Sequence, residues 1–220
     1  MRQVLPPSPQ VSRAIQFTEA KLAGCFVLQF PTFRDDRGVF VKTIRQSLFE
    51  THGLEIDFRE TFYTVSEQDV LRGMHVQLPP HDHAKIVYCI SGAICDMTLD
   101  LRVGSPTYGK HEVYELSGVA HNAVYLPRGI AHGFYVREGP ATVMYHVTSE
   151  HDPAHDVGIL WNSFQAPWPA AHPILSLRDA GFETLANFAS PFRYVAPANT
   201  VNYGRRSSDV PVRMATEVEL

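Results

Sequence analysis

The sequence is poor in cysteine and shows no strong excess of either charge. Its three cysteines, Cys25, Cys89 and Cys95, are an odd number without a CxxC spacing. Neither a disulfide framework nor a zinc knuckle is indicated, and a reducing compartment is expected. The formal net charge is −4, from 19 Lys and Arg against 23 Asp and Glu. That balance lacks the basic field with which nucleic-acid binders neutralise phosphates, so no nucleic-acid partner is expected. No run of about 18 apolar residues occurs, and the opening MRQVLPPSPQ is broken by prolines with no apolar stretch of signal-peptide length. A soluble, cytoplasmic protein with no membrane partner is predicted. Internal repeats, low-complexity runs and phosphate-cradling GxGxxG or GxxxxGK[ST] loops are also missing, so any nucleotide must be held by side chains.

What is present is enough for one sizeable core: 220 residues, 45% of them hydrophobic. A polar, proline-containing arm is expected over 1–22, one domain over 23–195 and a polar, aperiodic tail over 196–220. The domain reads as short β-branched and aromatic runs separated by turn signals. Strands are expected at Val70–Gln77, Lys85–Ile90, Ala93–Leu99, His111–Leu116, Ala123–Leu126, Gly133–Val136 and Ala141–Thr148. Turns are expected at Ser91-Gly92, Gly104-Ser105-Pro106, Ser117-Gly118, Pro127-Arg128-Gly129 and Glu138-Gly139-Pro140. This spacing predicts an all-β antiparallel sandwich or barrel. Helix is confined to Gln46–His52 and a short piece near Ser176, a residue suited to N-capping.

Strand alternation singles out several polar residues. Lys85 shares a face with Val87 and Cys89, so it either snorkels to a rim or sits charged at a barrel mouth, where it would stabilise an oxyanion. His75 falls in Leu71-Arg72-Gly73-Met74-His75-Val76-Gln77, and in a regular strand Arg72 points to the opposite side. A strand histidine is ordinarily structural; it becomes a base only with a carboxylate on its second nitrogen. Tyr145 shares a face with Val143 and Val147, as a core tyrosine does, and at a barrel mouth its hydroxyl would serve as a proton donor.

Pro127-Arg128-Gly129-Ile130-Ala131-His132-Gly133-Phe134 matches the Pro-x-Gly-x-x-His core of the second cupin motif. Many cupins bind a metal through that histidine, a His-x-His pair and a glutamate, and His81-Asp82-His83 offers such a pair. Seven residues before Gly92, where a metal cupin carries glutamate, this chain has Lys85, whose ammonium would repel a cation. No metal is therefore expected. A metal-dependent cupin oxygenase using His81, His83 and His132 stands as an alternative, as does a binding module that has lost catalysis.

Together these segments resemble one cupin family, the dTDP-4-dehydrorhamnose 3,5-epimerases. The likeness runs from about Phe30 to Phe192 through Asp35-Asp36-Arg37-Gly38-Val39-Phe40, the Leu71–Gln77 segment, Asp100-Leu101-Arg102, Gly104-Ser105-Pro106-Thr107-Tyr108-Gly109, Pro127–Phe134 and Trp161-Asn162. The resemblance implies a cupin-type jelly-roll β-barrel with a few short peripheral helices. It also implies epimerisation at carbon 3, carbon 5 or both of a nucleoside-diphosphate 4-keto-6-deoxy sugar. By resemblance His75 is the base, Asp179 of Leu175-Ser176-Leu177-Arg178-Asp179 orients it, Tyr145 is the acid, and Lys85 and His132 line the pocket. Arg72 and Arg37 resemble anion-contacting arginines, and Phe40 and Gln77 fall in the same substrate-binding motifs. No cofactor is required for such chemistry.

The chain departs from the family at Lys42, where glutamate is usual, and at Glu60 and Phe62, where the family carries Gln-x-Asn. His151 stands where a second pocket tyrosine is common. These four are placed in the substrate-binding set, and they leave dTDP, CDP and GDP sugars all open. The resemblance further implies a homodimer in which N-terminal strands cross, giving a Phe26–Phe33 strand a partner, and there Arg37 either reaches the neighbouring pocket or salt-bridges Asp35 or Asp36 in its own loop.

Overall fold

A computed structural model of the chain describes residues 14–196. Two long strands form its spine: β7 (Lys85–Asp100) and β10 (Ile130–Val147), antiparallel along almost their whole length. The turns expected at Ser91-Gly92 and Glu138-Gly139-Pro140 are bends within these strands, not breaks between them. Gly92 adopts φ +78°, and a Cβ there would meet the Glu138 carbonyl oxygen at 2.4 Å. The two bends lie one above the other, and only a glycine lets them approach so closely.

Beyond the bend the spine changes neighbours, and this divides the molecule into two facing sheets. The first half of β7 pairs with β9 (Asn122–Leu126), and the second half of β10 pairs with β5 (Glu60–Ser66). β9 continues to β2 (Phe26–Gln29) and β1 (Gln16–Glu19). The second half of β7 pairs with β8 (His111–Ser117), while the first half of β10 pairs with β6 (Leu71–Gln77), which in turn pairs with β11 (Asp156–Gly158). A separate hairpin joins β3 (Thr32–Asp35) to β4 (Gly38–Val41).

Alternation along these strands builds the core. Val87, Cys89, Ile94, Val124, Phe134, Val136 and Val143 meet between the sheets. The intervening residues face outward and are covered: Ile86, Tyr88 and Tyr125 pack with Phe49 of α1 (Gln46–Thr51), and Met97, Leu99 and Ala131 pack with Ile159 and Phe192. Both faces of the spine are thus apolar because both are buried. The second helix, α2 (Leu177–Ala180), begins where expected, with Ser176 Oγ accepting from the Asp179 amide.

Two expectations near the N-terminus differ from the structure. Part of the 1–22 stretch lies outside the described residues, but within it β1 pairs with β2 and Leu22 is buried in the core. The expected Phe26–Phe33 strand is two strands, and β2 has neighbours on both sides within one chain. β2 therefore has no free edge, and among the described residues the unpaired edges in this region belong to β1 and to the β3–β4 hairpin. The expected polar tail lies outside the described residues from 197 onward. Among the described residues no helix is long and apolar enough to cross a membrane.

Candidate active site

One end of the space between the sheets opens as a cavity of about 380 Å³. His75 on β6, Lys85 on β7, and His132 and Tyr145 on β10 all line it, although they are far apart in sequence. His75 Nε2 lies 2.9 Å from Asp179 Oδ1, whose other oxygen accepts from the Gly73 amide at 3.0 Å. The Ser176 cap holds the carboxylate's backbone, so Asp179 is fixed from three sides. Burial works against its charge, but the hydrogen bonds from His75 and Gly73 leave the carboxyl below its ordinary pKa. With Nε2 donating to that carboxylate, Nδ1 is left as the basic atom of His75.

Arg72 also lines the cavity, contrary to the alternation expected of a regular strand. His132 is opposite His75 and Phe134 is opposite Arg72, so two steps along β10 span three along β6. This bulge swings Arg72 to the same side as His75. Gly73, at φ +123°, sits inside it. A Cβ there would come within 2.5 Å of Gly133 Cα and 2.9 Å of the His132 carbonyl. Gly73→Ala should therefore cost roughly 2–3 kcal/mol, read as a lowered urea midpoint, and should lower activity by displacing His75.

Lys85 is 7% exposed. Burial lowers its pKa to about 8, with Asp156 and Asp96 opposing that shift. Tyr145 is held in its protonated form, first by burial and then by the nearby Asp96 charge. The Phe62 ring stacks on the Tyr145 ring at 4.7 Å between centroids. Glu60 lines the cavity rim and accepts from the His151 amide at 2.7 Å. Gln77 is buried in the wall and donates to the His81 carbonyl at 2.5 Å.

Asp96 was not singled out from the sequence. It is fully buried, and its Oδ2 lies 2.6 Å from His132 Nε2. Its signal was an acid two residues after Ile94, on the face of β7 that begins with Lys85, Val87 and Cys89. Burial raises its pKa while His132 and Lys85 pull the other way. Asp156, another rim residue not anticipated, binds Arg178 at 2.7 Å.

Arg37, Phe40 and Lys42 are not brought to this cavity within one chain. Arg37 pairs with Asp35 at 2.7 Å on the exposed β3–β4 hairpin, and Lys42 Nζ lies 5.8 Å from the Phe40 ring centroid. The three histidines of the metal reading do not converge either. His132 binds Asp96, His83 Nδ1 lies 3.0 Å from Ser149 Oγ, and His81 joins a different group of side chains.

Solved structures with this architecture establish the class first. The chain is similar to a 4-keto-6-deoxy sugar epimerase from Streptomyces spheroides, with 34% identity, TM-score 0.76 and coverage of 82% of this chain and 92% of that one. It is also similar to a Legionella pneumophila 3,5-epimerase solved with dTDP-4-keto-L-rhamnose, with 27% identity, TM-score 0.79 and coverage of 83% and 100%. These are sugar-nucleotide isomerases. The dTDP-4-dehydrorhamnose 3,5-epimerase model matches residues 19–187, and the chain belongs to that family. A dTDP-4-dehydrorhamnose 3-epimerase from Streptomyces niveus is 40% identical over 148 residues, 66% of this chain and 72% of that protein.

Proposed function

We propose that the chain epimerises carbon 3, carbon 5 or both in a nucleoside-diphosphate 4-keto-6-deoxy sugar, using His75 as base and Tyr145 as acid. The observation that carries this assignment is the His75–Asp179 pair opening into the same cavity as Lys85 and Tyr145. A hydrogen beside a ketone is weakly acidic, and its removal needs a placed base and a cation for the enolate oxygen. His75 Nδ1 takes the proton, and Asp179 stabilises the imidazolium that forms. Lys85 receives the developing charge, and Tyr145 returns a proton to the carbon, which inverts when delivery comes from the opposite face. Arg72, His132, Gln77, Glu60, Phe62 and His151 shape the surrounding wall.

The test is incubation with dTDP, CDP and GDP 4-keto-6-deoxy sugars in heavy water, read by NMR. Deuterium is expected beside the ketone, and its presence at one carbon or two distinguishes single from double inversion. Tyr145→Phe should retain exchange while losing roughly 10²-fold or more of net inversion, because it removes only the acid. Equal loss of both would take the acid role from Tyr145.

The working molecule on this reading is a homodimer. The β3–β4 hairpin supports it, since it carries exposed Phe33 and Phe40 and an Arg37 side chain that is 90% exposed.

A further inference from the structure

At the rim of the barrel, His81, Asp152 and His155 meet from two different loops. His81 follows β6, and the other two belong to the turn between β10 and β11. One ligand-capable atom from each lies within 4.8 Å of the others, and this is the group of that kind formed among the described residues. His81 Nε2 is 3.2 Å from Asp152 Oδ2, and His155 Nδ1 is 3.1 Å from Asp152 Oδ1. Bonds of about 2.0–2.1 Å to a tetrahedral ion put its ligands about 3.3 Å apart. The two separations run to different oxygens of the Asp152 carboxylate, so whichever oxygen serves as the ligand already stands at about that spacing from one of the imidazole nitrogens. His155 Nδ1 is also buried and is poorly aligned for a hydrogen bond to the carboxylate beside it, whose ionised form it nonetheless favours.

The group is held in place before any ion arrives. Asp152 Oδ1 accepts from the Ala154 amide at 2.9 Å, which orients the carboxylate. The Asp152 amide donates to Gln77 Oε1 at 2.9 Å, and Gln77 Nε2 donates to the His81 carbonyl, so a single buried side chain ties the two loops together. The Leu78 amide donates to the His155 carbonyl at 2.8 Å. Supporting hydrogen bonds of this kind lower the cost of assembling a metal site. The two imidazole rings lie 4.6 Å apart, and in their neutral form each offers a lone pair. Two imidazoles and one carboxylate suit a borderline divalent transition ion and not the all-oxygen shell of calcium or magnesium.

We propose that His81, Asp152 and His155 form a binding site for one divalent transition ion of the zinc type, clipping the loop after β6 to the turn before β11. The site is separate from the His75–Asp179 pair and does not depend on the epimerase assignment. The test is competition for Zn²⁺ against a chromogenic chelator with the whole protein, repeated with Asp152→Asn, His155→Gln and, as a control, the exposed His172→Gln. One equivalent should bind the parent and His172→Gln. Asp152→Asn and His155→Gln should each weaken binding by at least tenfold, and Co²⁺ in the parent should give the visible absorption of a low-coordinate site. Circular dichroism of the two variants confirms that they remain folded, so lost binding is not lost structure. Failure of the parent to bind one equivalent, or equal affinity in parent and site variants, overturns the proposal.

Discussion

His75→Asn should lower turnover by roughly 10²–10⁴-fold and remove solvent deuterium incorporation at both carbons beside the ketone. Asparagine keeps a polar group near Asp179 but supplies no basic nitrogen, so the loss falls on proton abstraction and not on the architecture of the cavity. The urea midpoint should therefore change much less than it does for Gly73→Ala. Exchange at the parent rate in His75→Asn would move the base elsewhere in the cavity. Because Asp179 is held by Gly73 and Ser176 as well as by His75, its carboxylate should stay in place in the variant.

Lys85→Met should lower kcat by about 10²–10³-fold while making the protein more stable, two effects of opposite sign from one residue. The catalytic loss follows from removing the cation that meets the enolate oxygen in a site shielded from water. The stability gain follows from burial. The pKa of Lys85 is about 8 in the fold, against 10.5 for an ordinary lysine, so below pH 8 the fold bears the cost of a buried charge. As pH rises from about 8 toward 10.5 the folded state releases its proton before the unfolded chain does, and that cost is relieved. The advantage of Lys85→Met in urea should therefore be largest at pH 7 and shrink above pH 8. Activity of the parent should fall over the same interval as the ammonium is lost. A parent rate that stays flat through pH 8–10, or a variant that loses stability at pH 7, would remove Lys85 from this role.

The strands could be read from the sequence because each long strand alternates between two buried surfaces; Lys85 and Tyr145 were found as polar residues at fixed places in that alternation, and His132 through the Pro-x-Gly-x-x-His motif. Reading failed where backbone geometry overrides local pattern. Gly92 and Gly139-Pro140 look like turn signals, yet the same two strands pair again on the far side of the bend after a shift of register. Alternation alone points Arg72 away from the pocket, because one extra residue in β6 cannot be seen in a run of seven letters; the resemblance had placed it among the substrate-binding residues. Asp179 is more than a hundred positions from His75, so only resemblance could connect them. Asp96 had a legible signal, an acid on the inward alternation of β7, but its partner His132 is provided by the neighbouring strand.

Among the described residues, β5 borders β10 on one side and no other strand on its far side. Glu60 and Phe62 sit on this outermost strand and His151 on the turn it touches, whereas His75, Lys85, Tyr145 and His132 sit on strands enclosed by neighbours. On the proposed reading, three of the four positions at which this chain departs from its family lie along that margin, and the residues assigned to proton transfer lie on enclosed strands. Substitutions at Glu60, Phe62 or His151 should therefore change which sugar nucleotide is accepted more than they change the rate of proton abstraction.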